Sequence, residues 1–273
     1  MFLFLFLFGA FMVLPLAYIV ITAFKPLNEL FIFPPRFYVV NPTVDNFTTM
    51  MRVISSSRVP FSRYLFNSVV IAVGGTILGI VVGALAAYPL AKHKFVGKAV
   101  MYNVVVWAMM FRGEVLGIPQ YLIIANLGMI NTYWSLLLPA LAGTMSVFLM
   151  RQFMESNIPD AVIEAARIDG ATRFYILRKV ILPLAKPIVI YTILTAFMGP
   201  WGDFSFARYI SMNNVDGMNA AVGLFSWLNI DQINNNYTMF CAGGVLVALP
   251  VTLLFMFLQK YYVEGVTGGA VKG

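Results

Sequence analysis

Catalysis needs groups that share electron pairs or protons, and this chain carries few of them. It has one histidine, His93, one cysteine, Cys241, and 11 Asp and Glu among 273 residues. A lone cysteine and a lone histidine exclude an internal disulfide framework and a Cys/His zinc site. His93 sits among Lys92, Lys94 and Lys98 and reads as an exposed loop residue rather than a catalyst. Cys241 lies in an apolar, glycine-flanked stretch and reads as a small packing residue. The Gly97-Lys98 pair has Lys92 where the first glycine of a phosphate-binding loop belongs, and Ala99 follows it. No G-x-S-x-G elbow or zincin motif occurs. An ATPase or hydrolase would need groups absent here, so the chain reads as a conduit with no metal and no cofactor of its own.

Three polar constellations remain. The first is the run from Pro159 to Pro183. Pro159 suits the first turn of a helix and Asp160 complements its dipole. Val162, Ala165, Ala166 and Asp169 share a side at helical spacing, and the alanines allow close approach. Gly170 ends that helix as a C′ residue. Thr172 caps a second helix with Phe174, Leu177, Val180 and Ile181 apolar. Periodicity leaves this segment open as an amphipathic linker on a membrane surface. The second constellation is Arg112 and Glu114, charges inside an apolar segment, where they line an aqueous interior, pair with each other or snorkel to headgroups. The third is Phe197 to Phe206. Trp201, Asp203, Phe204 and Phe206 combine stacking faces with a hydroxyl partner, as a sugar cavity requires; an interfacial aromatic belt uses the same residues.

What positions these groups is a membrane. The chain is 60% hydrophobic and 11% charged, with a mean hydropathy of +0.84, against roughly 25% charge in a soluble domain. Six apolar segments approach the ~20 residues a spanning helix needs. They run from Met1 to about Phe24, and over about Tyr64–Leu90, Ala99–Leu116, Tyr133–Met150, Leu184–Trp201 and Thr238–Leu258. The first has no basic n-region or cleavage site and reads as a retained span. Gly74, Gly75, Gly79 and Gly83 mark a face open to close helix approach. The expected fold is an all-α polytopic membrane protein with six transmembrane helices: residues 1–63 as first span and long loop, 64–258 as the core, 259–273 as a tail.

An even number of spans puts both termini on one side. Eleven of the 18 Lys and Arg fall on that side, six on the other, and Arg112 lies within a span. The positive-inside rule therefore places both termini and the 151–183 connection in the cytoplasm. It also explains the pI of about 9.5 without nucleic acid. Five prolines in residues 25–63 predict extended structure there rather than a packed domain.

Glu164-Ala165-Ala166, Gly170, Val180 and Leu182-Pro183 match the spaced EAA signature of binding-protein-dependent ABC importer permeases, with Val180 where that family usually has Ile. Ala87-Tyr88-Pro89-Leu90-Ala91-Lys92, Ile118-Pro119-Gln120-Tyr121 with Leu127-Gly128, and the end Val263 to Gly273 extend the resemblance. From Tyr64 onward the chain resembles the carbohydrate-uptake, maltose/maltodextrin-type branch; residues 1–63 resemble it only in layout.

The resemblance implies a type-I permease fold whose coupling helix, over 155–183, seats in a cytoplasmic ATPase. Glu164, Ala165, Ala166, Asp169 and Gly170 would form the docking surface, with Leu182 and Pro183 beyond it. The tail, with Gly268, Gly269 and Lys272, would either reach the ATPase or fray. Arg112 departs from a proline common in the family and suits an acidic sugar or a pair with Glu114. Gly202 replaces the asparagine of the family's Trp-Asn-Asp-Phe, which weakens a polar contact there. The implied partners are a homologous second permease, two copies of an ATPase holding ATP and Mg, an extracytoplasmic solute-binding protein, an oligosaccharide and membrane lipid of the bacterial inner membrane. The companion permease would hold most solute contacts. An ion-coupled secondary transporter is the competing class; it expects inverted repeats and buried carboxylates, and the spans here have almost none. An integral membrane enzyme lacks its acid–base set.

Overall fold

The computed structural model describes residues 2–34, 36–52, 59–211, 217–225 and 233–270, and those residues form helices joined by short connections. In chain order they are α1 (Phe2–Ala23), α2 (Leu27–Leu30), α3 (Asp45–Arg52), α4 (Phe61–Lys92), α5 (Lys98–Met110), α6 (Gly113–Asn126), α7 (Trp134–Leu141), α8 (Thr144–Asn157) and α9 (Asp160–Ile168). Then come α10 (Arg173–Tyr175), a π-helical turn over Ile176–Ile181, α11 (Leu182–Leu184), α12 (Lys186–Gly202), α13 (Ser205–Ile210), α14 (Ala220–Phe225) and α15 (Ile233–Ala270). Helices dominate because a backbone in lipid must satisfy its own hydrogen bonds.

Among the described residues, four stretches are long and apolar enough to cross a membrane: Phe2–Ala23, Phe61–Lys92, Trp134–Asn157 and Asn236–Gln259. Two bent pairs bring the number to six if each is one span. The third apolar segment does not end near Leu116 as one run. It breaks at Phe111 and Arg112, both extended, and α5 and α6 meet at 109°. The second bend, 87°, falls at Ala185 between α11 and α12. Pro183 and Pro187 bracket it, and each removes a backbone donor and crowds the preceding turn.

The chain divides into two compact units. One comprises Met1–Ser68 and Asn213–Leu253. Its core packs Met50, Val59, Phe61, Tyr64 and Ala220, with a second cluster around Ala23, Cys241 and Ala242. Cys241 is thus a packing residue, as its setting suggests. The connection after α1 is more ordered than its prolines predict. The Glu29 carboxylate accepts from the backbone N–H of Val40 at 3.0 Å and of Asn41 at 2.8 Å. The Asn46 amide donates to the carbonyls of Ala23 and Lys25 at 2.8 and 2.7 Å. Residues 53–58 of that connection lie outside the described residues.

The other unit comprises Val69–Met212 and Leu254–Gly273. Here the glycine face of α4 meets α7 and α8. A Cβ at Gly74 would stand 3.1 Å from Leu137, at Gly75 3.2 Å from Ala140 and at Gly83 3.4 Å from Ser146. Small residues let the backbones come this close, where dispersion replaces the hydrophobic drive that lipid cannot supply. A cavity of about 200 Å³ opens at the break between α7 and α8, walled by Gly75 and Gly79 of α4, Gly143 and Ser146 at the break, and Thr195 and Pro200 of α12.

Candidate functional site: the α9 corner and its surroundings

Helix α9 begins as its residues require. Pro159 occupies the N-cap with φ −65°, ψ 140°, and Asp160 stands in the first turn. Its end is a Schellman motif. Gly170 adopts φ +80°. The Gly170 N–H donates to the Arg167 carbonyl and the Ala171 N–H to the Ala166 carbonyl, each at 3.0 Å. Ala166 and Ala171, the two ends of the longer bond, both pack on the buried cluster beneath. The spacing from the alanine pair to the glycine is therefore that of one helix terminus: Ala166 supplies the carbonyl and inward contact, and Gly170 the left-handed turn.

That cluster joins four elements. Tyr88 and Ala87 of α4, Met150 and Met154 of α8, Ile163 of α9, and Ile176, Leu177 and Ile181 of the π turn are all buried in it. The segment is thus packed onto helix ends rather than lying apart as an amphipathic linker. The face expected from spacing divides: Ala166 turns inward with Ile163, while Val162, Ala165 and Asp169 stay exposed with Glu164. Thr172 caps the next helix, its hydroxyl accepting from the Tyr175 N–H at 3.3 Å. Leu177, Val180 and Ile181 pack on the cluster as their spacing predicts. Ile176 takes a core place, and Phe174, expected inward, is exposed. Leu182 packs on the cluster and Pro183 lies two residues before the bend at Ala185.

Three features are not given by spacing rules. Lys92, the last residue of α4, donates its ammonium to the Ile158 carbonyl at 2.6 Å and to the Asp160 carboxylate at 2.8 Å. Hydrogen bonding from Lys92, then its charge, holds the Asp160 carboxyl below the usual range. Ile168 is 86% exposed at the end of α9, and Phe174 and Tyr175 of α10 are exposed too. His93 is not the exposed loop residue expected. Both ring nitrogens are buried, and the ring meets Tyr88 edge-on with centroids 4.8 Å apart. Burial, then the nearby Arg173 and Arg167, push the imidazole below its usual pKa.

The residues singled out for a solute path occupy two places. Arg112 caps the start of α6 at the bend and pairs with Glu114, Nε to Oε2, at 3.4 Å; both side chains are largely exposed. Trp201 is 3% exposed and stacks on Phe197 with centroids 5.4 Å apart. Asp203 accepts from the Phe206 N–H at 3.2 Å and so starts α13. Phe204 carries the Arg208 guanidinium 5.6 Å above its ring, and Phe206 is half-buried. Helix α13 packs on α6 and α7. Gly268 and Gly269 fall within α15, and Lys272 lies outside the described residues.

The model of the family described as the binding-protein-dependent transport system inner membrane component matches residues 75–268. The chain belongs to that family. This decides against an ion-coupled secondary transporter and makes the chain a multi-pass inner-membrane permease component. It is 30% identical over 267 residues to the arabinooligosaccharides transport system permease protein AraQ of Halalkalibacterium halodurans, covering 96% of this chain and 91% of that one. It is 31% identical to the maltodextrin transport system permease protein MdxG of Bacillus subtilis, covering 78% and 76%. The fold is that of a chain in the crystal structure of a bacterial ABC transporter involved in the import of the acidic polysaccharide alginate. The TM-score is 0.84 at 23% identity, with 95% and 94% of the two chains covered.

Proposed function

We infer that this permease is one of two homologous membrane subunits of an ATP-driven oligosaccharide importer. Two copies of a cytoplasmic ATPase supply the energy, ATP and Mg residing there, and an extracytoplasmic binding protein delivers the solute. The observation that carries this reading is α9: a short helix with rigid ends, packed on its inner side and bare on its outer side. A rigid helix seated in a moving cleft transmits displacement, whereas a flexible loop absorbs it. Glu164, Ala165, Asp169 and Gly170 face the ATPase, and Ala166 anchors the helix from within. Leu182 and Pro183 carry the motion through the bend into α12. Closure of the ATPases on ATP then opens a central cavity outward, and hydrolysis returns it inward.

Both termini are cytoplasmic in this arrangement, which puts α9 and the more basic connections on the ATPase side. Gly268 and Gly269 of α15, with Lys272, are assigned to contact with the ATPase. Arg112, Glu114, Trp201, Asp203, Phe204 and Phe206 border the solute path, and Arg112 favours an acidic glycan. The relatives named for arabinooligosaccharides and maltodextrin support an oligosaccharide cargo. The test is purification from mild detergent with mass spectrometry of the partners. An ATPase and a second permease should copurify and be lost on substituting Glu164 and Gly170. A chain that purifies alone and moves solute down an ion gradient without ATP would overturn the reading.

A further inference from the structure

The corner between α8 and α9 has no cap of its own. Pro159 has no N–H, and no side chain caps α9. Two acceptors flank that proline, the Ile158 carbonyl and the Asp160 carboxylate, and both are held by Lys92 from the end of α4. The Lys92 side chain is only 5% exposed. Its bond to the Ile158 carbonyl is half-buried, and its bond to Asp160 lies at the surface. A sheltered ammonium must keep its partners, because leaving it unpaired is strongly unfavourable.

We propose that Lys92 is a positioning residue that makes the end of α4 move as one body with α9. The covalent route from α9 runs through the π turn and the bend into α12. A second route leads into α4 through the shared cluster, and Lys92 pins it with hydrogen bonds that packing alone does not supply. Helices α4 and α12 wall the same cavity, through Gly75 and Gly79 on one side and Thr195 and Pro200 on the other. Driving both from one helix reshapes that space in concert, whereas driving α12 alone would shear its packing. The inference rests on the seating of α9 in an ATPase proposed above.

The test uses the whole complex with its ATPase. Cys241 is the only cysteine, so a Cys241→Ser background accepts nitroxide labels at Leu85→Cys on α4 and Ala161→Cys on α9, both exposed. Their distance is read by pulsed electron resonance without nucleotide and after vanadate trapping with ATP. With Lys92 native or replaced as Lys92→Arg, the distance should stay constant within about 1 Å, below the 1–2 Å shifts typical of moving helices. With Lys92→Met it should shift or broaden beyond about 2 Å on trapping, while the ATPase still copurifies and hydrolyses ATP. A constant distance in Lys92→Met overturns the proposal, as does loss of the ATPase from that variant, which would make Lys92 part of the docking surface. Should Lys92→Met fail to accumulate, Asp160→Ala decides, since it removes the exposed acceptor from Lys92; an unmoved distance there also overturns it. Failure of the docking reading is separate: no ATPase would copurify even with the unsubstituted chain.

Discussion

The ring of Tyr64 lies directly against Gly223: a Cβ on that glycine would stand 2.1 Å from Cδ2 and 2.5 Å from Cγ. Tyr64 is fully buried, with Phe61 edge-on at 6.3 Å, so the ring has nowhere to retreat. Gly223→Ala should lower stability by about 1–3 kcal/mol, the range for overpacking a filled site. The melting temperature in detergent reports it. Tyr64→Leu with Gly223→Ala should lose less than the two single losses added, because the clash exists only when both groups are present. Strict additivity would show that the strain is relieved elsewhere.

Gly170 presents the opposite case. Nothing lies within 4 Å of its absent Cβ, and only its φ of +80° resists substitution. Transport should therefore fall in the order Gly, Asn, Ala, Val, following tolerance of the left-handed region. Membrane insertion and the amount of purified chain should remain. Normal uptake by Gly170→Val would count against the docking role of this corner.

Ile168 exposes nearly its whole side chain at the end of α9. Covering such a side chain contributes about 1.5–3 kcal/mol. Ile168→Asp should thus weaken retention of the ATPase by roughly ten- to a hundredfold, read by dissociation of the complex on dilution. Lys94→Asp, exposed on the chain segment after α4, serves as a control for charge alone. Equal losses in both variants would assign the effect to charge rather than to the apolar contact.

His93 predicts a pH dependence. Its pKa is lowered in the fold, chiefly by burial and then by Arg173 and Arg167, with Lys98 adding to the repulsion. The folded chain therefore binds this proton less readily than the unfolded chain. Its contribution is full above the unfolded histidine pKa of about 6.5 and is lost as pH falls below that value. His93→Phe, which keeps a ring against Tyr88, should lose less melting temperature between pH 7.5 and 5.0 than the native chain. Parallel curves would exclude His93 as the group responsible.

Much of this architecture is legible in residue order because its causes are local. Apolar runs without charge must become helices in lipid, so the spans are readable; so are the Gly170 terminus and the Thr172 cap, where donor and acceptor lie within five residues. The glycine face of α4 announces close approach but not its partner, and only the fold assigns it Leu137, Ala140 and Ser146. Hydropathy hides the break at Phe111–Arg112 because it does not sense direction, and the π turn because that turn leaves composition unchanged. His93 looked exposed among lysines until Tyr88 covered it. Lys92 and Asp160, 68 positions apart, meet only because α8 returns the chain to the end of α4. Short-range hydrogen bonding and hydropathy are properties of the sequence; which distant groups share a buried cluster is decided by packing.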